Sequence, residues 1–535
     1  MSKLEAIRSW SIAYQILLCS LFSFQLLSQN VAKEEFAASF LSNTILAKNL
    51  KESVYALSND SMQGREFGTA GERKAANWIA SKLKEYNIEL VPALGNYFQE
   101  INFKSYSWDE LLFQSGSSTF EQNRDYFAYP GSARNMSISG SEIIFIGFGL
   151  ELPNYNEFDG VDIKGQIVMI QTGMPMTKDS VIWLTGKKWT PESEESLETR
   201  VKRVLSNGAI AVLVVDPGFK KRIRRDRSKI YTPVNLPAKD SSLESLGGNY
   251  MVISPEMANQ LAGDRAKKLE EHQNNIAKKG KPTYTRLYAT FEWQMKPKFD
   301  MLSGVNVIGM IPASDPNLQQ EAVVLSAHFD HLGIRDGVVY NGADDNASGS
   351  ASILEIIRTL QEAKKQGQGP RRNVIVIFFS GEEKGLYGSE YYTQSPLWPL
   401  EQTIADVNVD MVGRVDKRHP DNPDYIYVIG ADRLSQQLAD IQVIANNTYC
   451  HLQLDETYNA LNDPNRYYYR SDHYNFAKNG VPSVFYFSGT HSDYHKSTDD
   501  ADLLNYPLLE KRCKFIFFVL WELANRNTRL RMNLN

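Results

Sequence analysis

The sequence predicts an α/β fold in which a mixed, mostly parallel sheet is flanked by helices and a β-rich domain is inserted. Two observations support this prediction. In the last part of the chain, continuous apolar runs alternate with helical segments, which is typical of strands that helices bury on both faces. In the middle part, short apolar runs are separated by glycine and aspartate turns, which indicates a separate strand-rich domain.

The length and composition are those of an ordinary globular protein. At 535 residues the chain is long enough for two or three domains. Apolar residues make up 42% of it and charged residues 23%, so it can form a sizeable core. The formal net charge of -5 lacks the basic excess of nucleic-acid-binding domains, and we expect no nucleic-acid partner.

Residues 1–29 have the pattern of a secretory signal peptide. A short polar start with Lys3 and Arg8 is followed by a mostly apolar stretch at 10–27, after which the chain becomes charged. We expect this segment to be cleaved and the protein to be secreted or periplasmic; an uncleaved signal anchor is the alternative. No later run approaches the roughly 20 apolar residues of a membrane span, so no stable membrane insertion is expected after cleavage.

Disulfides contribute little to the predicted fold. One of the three cysteines lies in the predicted signal peptide, which leaves Cys450 and Cys513 in the mature chain. The sequence leaves open whether these two form a disulfide or are buried thiols.

The predicted domains follow in chain order. Residues 36–109 form the N-terminal part of the main domain, with helices predicted up to Tyr106 and an apolar helical face after Gly71. Residues 110–296 form the inserted domain, with one or two helices, and residues 297–530 form the main part of the principal domain. The clearest strands of the inserted domain are at 143–146, 166–170, 211–215 and 251–253. Those of the principal domain are at 322–325, 374–379, 404–409 and 483–487, and 348–360 fits a crossover helix.

Histidines and carboxylates follow the four strands of the principal domain, at the point where each strand ends. In chain order these polar residues are His328, Asp330, Glu382, Glu383, Asp410, Tyr494 and His495, and Asp344 and Asp345 precede the crossover helix. Because active sites of open α/β sheets gather at the carboxyl ends of strands, we expect these side chains to lie together.

Each of these residues alone has an ordinary structural explanation, such as a helix cap or a solvated turn. As a set they do not, because clustered carboxylates are unfavourable unless a cation offsets their charge. Imidazole together with carboxylate suits zinc, and two adjacent metals require a carboxylate that bridges them. The sequence therefore predicts a metal centre at this edge of the sheet.

The polar blocks resemble the dinuclear zinc aminopeptidases and related zinc exopeptidases, the group that includes glutamate carboxypeptidase. The blocks that carry the resemblance are 328–330, 342–349, 381–383, 408–411 and 494–495, and 61–65 with the following helix also resembles that group. The resemblance implies the zinc exopeptidase fold. Less specifically, 147–149 and 162–170 resemble the protease-associated domain that some members of the group contain as an insertion.

The same resemblance implies two Zn²⁺ ions as cofactors, with cobalt or manganese left open as the metal in vivo. Asp345 would bridge the two metals. His328 and Asp410 would complete one site, and Glu383 and His495 the other.

Further residues would support or perform the reaction. Glu382 would be the general base and Tyr494 a donor to the oxyanion, although a packing role for this tyrosine stays open. Asp330 would accept a hydrogen bond from the far ring nitrogen of His328. Asp499 would orient His495. The block that contains Asp472 and His473 would support the substrate pocket.

The implied reaction is hydrolysis of peptide bonds in short peptides by a hydroxide that bridges the metals. An aminopeptidase is favoured, and a carboxypeptidase or dipeptidase on the same scaffold is the alternative. A non-catalytic receptor-like protein and a one-zinc aminoacyl cyclase-like transferase both conflict with the complete set of ligands. Side-chain preference and oligomeric state are left open.

Overall fold

The computed structural model describes most of the chain in two compact units. The described residues are 38–116, 118–176, 181–182, 186–188, 195–226, 230, 234–237, 249–279 and 282–534. The first unit contains residues up to Ile101 and from Ser303 onward, and the second unit is Asn102–Leu302. The predicted signal peptide lies outside the described residues. In the described part, no helix combines the length and apolarity that crossing a lipid bilayer requires.

The N-terminal part of the first unit includes two longer helices and the start of a long strand. These elements are α1 (Ala47–Leu57), α2 (Ala70–Glu85) and β1 (Phe98–Ser115). Thr69 caps α2 by accepting a hydrogen bond from the backbone N–H of Glu72. The prediction of helix up to Tyr106 was wrong from the start of β1 onward. Burial alternates along this strand, with Ile101 and Phe103 inside, so the period is two rather than 3.6.

The second unit is built around a twisted sheet with helices. Its elements are β2 (Ser118–Thr119), β3 (Tyr126–Phe127), β4 (Met136–Gly140), β5 (Ile143–Gly147), β6 (Glu151–Leu152), β7 (Tyr155–Asn156), β8 (Ile167–Gln171), α3 (Leu197–Ser206), β9 (Ala211–Val215), α4 (Phe219–Arg225), β10 (Val234–Pro237), β11 (Tyr250–Ile253), α5 (Pro255–Ala262), α6 (Ala266–Lys279), β12 (Thr285–Leu287) and the first part of β13 (Phe291–Ile311).

The sheet of the second unit has the order β12-β5-β8-β9-β11-β3. The four central strands are parallel, and β12 and β3 are antiparallel to their neighbours. Apolar side chains are buried on both of its faces. All four predicted strands are present, but the described residues contain four helices where one or two were predicted. Of these, α3 and α4 lie in crossover connections between parallel strands, and α5 and α6 lie between β11 and β12.

The predicted domain boundaries, at 109/110 and 296/297, fall inside β1 and β13. The chain passes from one unit to the other within these two strands, at Ile101 and Leu302. Because the strands are continuous there, no linker composition marks the boundaries in the sequence.

The remaining elements belong to the first unit. They are β14 (Ala322–His328), β15 (Gly333–Arg335), β16 (Val338–Tyr340), α7 (Gly349–Lys365), β17 (Asn373–Phe379), α8 (Tyr387–Gln394), β18 (Thr403–Val409), β19 (Tyr425–Ile429), α9 (Ala431–Leu434), α10 (Gln436–Ala445), β20 (Gln453–Asp455), α11 (His473–Ala477), β21 (Ser483–Phe487) and α12 (Tyr506–Asn525).

The sheet of the first unit has the order β13-β17-β14-β18-β21-β19-β20. The strands β17, β14, β18 and β21 are mutually parallel, and β13 and β19 flank them in antiparallel orientation. Every residue of the four parallel strands is buried, because helices cover both faces. This is the predicted mixed, mostly parallel sheet. The carboxyl ends of its parallel strands meet at one edge.

The two cysteines of the described chain are free and buried. Cys513 lies on α12, where its Sγ donates a hydrogen bond to the carbonyl oxygen of Ser352. Cys450 ends the turn after α10. Of the two possibilities left open by the sequence, the structure shows the pair of buried thiols.

Candidate metal centre

The predicted polar residues come together at the carboxyl edge of the parallel strands. His328 is the last residue of β14, Glu382 and Glu383 follow β17, and Asp410 follows β18. His495 lies in the loop after β21. The remaining member, Asp345, lies in the irregular turn Ala343–Ser348 that leads into α7. All of these loops begin or end at one edge of the sheet, so residues far apart in sequence become neighbours.

Two histidines face the two oxygens of one carboxylate. His328 Nε2 lies 3.5 Å from Asp345 Oδ1 and 3.2 Å from Asp410 Oδ1. His495 Nε2 lies 3.1 Å from Asp345 Oδ2 and 3.1 Å from Glu383 Oε2. A carboxylate that bridges two cations uses its oxygens in this way, with further ligands on each side.

The charge of this cluster fits a cation. Among the described residues, Asp410 Oδ1 and Glu383 Oε1 are buried without a hydrogen-bond partner. Buried ionised carboxylates without compensation cost several kcal/mol each, so their clustering requires positive charge. The donors are imidazole nitrogens and carboxylate oxygens, which is a set that zinc accepts.

The same surroundings shift the pKa values of the carboxyl groups in different directions. Burial and the neighbouring Glu383 raise the pKa of Asp345. Burial raises the pKa of Glu382 well above its ordinary value, and Glu383 and Asp410 add to this although His328 opposes it. For Glu383 the effect of burial is outweighed by His331 and His495, which hold its pKa well below the ordinary value.

Glu382 lies beside the His328 half of the cluster. One ligand atom from each of Glu382, His328 and Asp410 falls within 4.8 Å of the others. The backbone N–H of Glu382 donates to Asp330 Oδ1 at 3.2 Å, and this hydrogen bond fixes the loop. The Glu382 side chain lines a pocket together with Asp345 and other residues. A carboxylate in this position can exchange protons with a molecule in the pocket.

Asp330 lies on the far side of the His328 ring. Its Oδ1 is 3.6 Å and its backbone oxygen 3.3 Å from His328 Nδ1. The Nε2 of the same ring faces Asp345 and Asp410, so the two ring nitrogens have different surroundings. This is the arrangement in which a carboxylate or carbonyl fixes the orientation of a metal-binding histidine.

The contacts of Asp499 differ from the expectation that it orients His495. Its carboxylate accepts hydrogen bonds from the backbone N–H groups of Asp344, at 3.0 Å, and Asp345, at 3.1 Å. The turn at 496–499 directs the side chain toward the segment that carries Asp345, rather than back along its own loop. Asp499 therefore supports the shared carboxylate through its backbone.

Tyr494 lies over the pocket next to His495. Their rings stack with centroids 3.9 Å apart, and the Tyr494 hydroxyl accepts a hydrogen bond from Arg470 Nη2 at 3.1 Å. Burial and the nearby carboxylates of Asp345 and Glu383 raise the pKa of Tyr494, so its hydroxyl keeps its proton and can donate.

The pocket beside the cluster has one apolar wall. The residues that line it, apart from those already described, are Met411, Tyr467, Phe485, Phe487 and Thr490. His473 stacks on Phe485 with ring centroids 5.0 Å apart, and burial raises the pKa of the adjacent Asp472 to about 7. These two residues thus lie behind the pocket wall, where the sequence placed them.

Three further residues contact the cluster or the loops that carry it, and none of them was assigned a role there from the sequence. Ser471 donates to Asp410 Oδ2 at 2.8 Å. Arg65, fully buried, donates to the backbone oxygens of Phe329 and Gly342 and so joins the loops on either side of the cluster. His331 Nδ1 lies 2.8 Å from Glu383 Oε1. His331 follows His328 by three residues, and counting histidines in that block would have found it.

Part of the chain is similar to a known protein family. Residues 306–519 match the model of Peptidase family M28. Leucine aminopeptidase 1 of Arthroderma otae is 28% identical over 40% of this chain and 57% of its own length. Leucine aminopeptidase 1 of Sclerotinia sclerotiorum is 30% identical over 40% of this chain and 55% of its own length. The chain thus spans somewhat more than half the length of these curated relatives.

The fold also has a counterpart among solved structures. The aminopeptidase from Aneurinibacillus sp. strain AM-1 superposes with a TM-score of 0.51 at 18% identity, over 93% of this chain and 98% of that one. The family match covers the four parallel strands and all five predicted metal ligands. Residues 306–519 of this chain are thus similar to Peptidase family M28.

Proposed function

We propose that this chain is a two-zinc exopeptidase that acts as an aminopeptidase on short peptides. The observation that carries the proposal is the position of Asp345, whose two oxygens face His328 and His495 from opposite sides. Each histidine is accompanied by one further carboxylate, Asp410 or Glu383. Both halves therefore offer a complete set of protein ligands around a shared carboxylate.

One zinc would be held by His328, Asp410 and Asp345, and the other by His495, Glu383 and Asp345. When bound, the two ions would lower the pKa of a water molecule between them and polarise the carbonyl of the scissile bond.

The remaining steps are assigned to side chains of this chain. Glu382 accepts the proton of the attacking water and delivers it to the nitrogen of the leaving amine. Tyr494 donates its hydroxyl proton in a hydrogen bond to the carbonyl oxygen, where negative charge develops. Asp330 keeps His328 in position, and Asp499 holds the turn that carries Asp345.

The preference for a free amino end rests on two supports. The curated relatives that match this region are named leucine aminopeptidases. In addition, the pocket is lined by Glu382, which holds no metal in this proposal and whose carboxylate can attract the α-amine. A free carboxyl end, which a carboxypeptidase or dipeptidase recognises, would find one arginine in the described pocket lining, Arg470, and the carboxypeptidase or dipeptidase alternative depends on it.

A pair of substrates tests the proposal. Purified protein is assayed with leucine anilide, which has a free amine, and with an N-blocked dipeptide, which offers only a free carboxylate. Bound zinc is counted on the same sample. Hydrolysis of the anilide by protein with two zinc ions per chain supports the proposal. Hydrolysis of the blocked dipeptide alone would establish the carboxypeptidase alternative, and zinc-free protein without activity would contradict both.

Two proposals concern parts of the chain outside this centre. The segment 1–29 is proposed to direct export and to be removed, so the mature protein would be secreted or periplasmic. N-terminal sequencing of protein recovered from outside the cytoplasm would show a start after this segment. The second unit is proposed to be a protease-associated domain, which its strands at 143–146 and 167–170 support.

A further inference from the structure

A third histidine lies beside the cluster, on the Glu383 side. His331 Nδ1 is 2.8 Å from Glu383 Oε1 and 3.8 Å from Asp345 Oδ2. One ligand atom from each of these three residues falls within 4.8 Å of the others. The ring of His331 packs edge-on against that of His495, with centroids 5.9 Å apart.

The surroundings of this ring are unusual for a buried histidine. The side chain of His331 has no solvent exposure. Its Nδ1 lies 2.8 Å from Glu383 Oε1 but is not aligned for a hydrogen bond, and its Nε2 has no hydrogen-bond partner among the described residues. Buried polar side chains are normally paired, so a buried imidazole directed at two carboxylates without a hydrogen bond calls for another partner. His495 faces the same two carboxylates, and His328 faces one of them, Asp345.

The position of the ring is fixed by its neighbours. A methyl group on Gly342 would lie 2.4 Å from Cγ of His331, so the absence of a side chain at Gly342 makes room for the imidazole. The backbone N–H of His331 donates to the carbonyl oxygen of the buried Arg65 at 3.4 Å. The ring is therefore held toward Glu383 and Asp345 by packing.

We propose that His331 is an additional ligand, through Nδ1, of the metal held by Glu383, His495 and Asp345. This inference rests on the proposed two-zinc centre. It makes the two sites unequal, since one has four protein ligands and the other, at His328 and Asp410, has three. A zinc ion with four protein ligands is expected to be held more firmly than one with three, and it would still reach the shared water by becoming five-coordinate, as catalytic zinc sites can. The site with three protein ligands is the one beside Glu382.

The test counts histidines on zinc and measures how firmly each zinc is held. X-ray absorption of the zinc-loaded wild type should show three imidazoles for two zinc ions, rather than two. Dialysis against increasing chelator should remove one zinc early and the second much later. In His331→Asn the number of imidazoles bound to zinc should fall by one per chain. The affinity for the firmly held zinc should fall by roughly tenfold to a hundredfold or more. Loss of a residue that only hydrogen-bonds to a metal ligand lowers metal affinity by that factor, and loss of a ligand should cost at least as much.

A matched control is available in the same unit. His473 is also fully buried, but its ring stacks on Phe485 instead of facing the carboxylates of the cluster. His473→Asn should therefore keep the wild-type imidazole count and chelator profile. If His331→Asn does not fold, the imidazole count of the wild type alone decides.

Two results overturn the inference. Two imidazoles for two zinc ions in the wild type would show that His331 is not a ligand while leaving the two-zinc centre intact. An unchanged chelator profile in folded His331→Asn would do the same. Wild-type protein that binds no zinc at all would instead overturn the proposed function on which the inference rests.

Discussion

Both units contain a parallel sheet with carboxylates after its strands, yet the two sheet edges differ in how these charges are balanced. In the second unit Asp216 follows β9, and its carboxylate pairs with Arg222. It also accepts hydrogen bonds from the backbone N–H of Gly218, at 2.7 Å, and from the hydroxyl of Thr172, at 3.2 Å. The chain itself thus satisfies this carboxylate.

The corresponding edge of the first unit is not balanced in this way. Asp410 follows β18 and Glu383 follows β17, and each has a buried oxygen with no hydrogen-bond partner among the described residues. Their nearest neighbours are further carboxylates and histidines. A carboxylate at a strand end is therefore not a functional signal by itself. The signal is a cluster of buried carboxylates that face histidines and one another instead of an arginine.

The largest effect is expected from removing the shared carboxylate. Asp345→Ala takes away a ligand of both metals, so the variant should bind neither zinc firmly and hydrolysis should fall to the uncatalysed background. Elemental analysis and an anilide assay check this result. Full zinc content in the variant would show that Asp345 does not bridge two metals.

A smaller effect should separate chemistry from metal binding. Glu382→Gln keeps the shape of the side chain but cannot accept a proton, so kcat should fall by about 10²–10⁴-fold while both zinc ions stay bound. Zinc content and kcat are measured on the same preparation. A near-normal kcat would mean that another group is the base.

The turn that carries the shared carboxylate gives the next prediction. Asp499→Ala removes the acceptor of the backbone N–H groups of Asp344 and Asp345. We expect zinc affinity to fall by about 10–100-fold, as it does when partners of metal ligands are lost. Competition with a zinc chelator measures this change. Unaltered affinity would show that the turn keeps its conformation without Asp499.

The smallest effect on function is expected at the sheet edge of the second unit, where Asp216 pairs with Arg222. Asp216→Ala leaves the partly buried Arg222 without its partner, so the free energy of unfolding should fall by about 1–3 kcal/mol. Zinc content and kcat should equal those of the wild type. Urea unfolding and elemental analysis check both statements, and a loss of zinc in this variant would remove the contrast between the two edges.

The sequence predicted the sheet and the cluster because their signals are local. Continuous apolar runs mark the parallel strands, and a polar residue directly after each run lies at the same edge of the sheet. The hydrogen bonds of Asp499 with the backbone of Asp344 and Asp345 could not be predicted in this way. The direction of the Asp499 side chain depends on the turn at 496–499, whose geometry is set by packing in the folded protein. The same holds for Arg65, whose contacts with Phe329 and Gly342 join segments more than 260 residues apart in sequence.

The positions at which the chain passes from one unit to the other could not be predicted from the sequence, for a physical reason. Linkers are recognised by a change in composition, and here two continuous strands, β1 and β13, carry the chain across instead. Burial alternates along the start of each strand, as in any strand with one face inside, and β13 becomes buried throughout only from Gly304 onward. The position of the boundary therefore depends on packing that only the folded chain shows.

Anomalous X-ray diffraction at the zinc absorption edge, from crystals of the zinc-loaded protein, tests the central claim most directly. We expect two adjacent peaks per chain, one next to His328 and Asp410 and one next to His495 and Glu383, with Asp345 between them. A single peak, or none at this edge of the sheet, would contradict it.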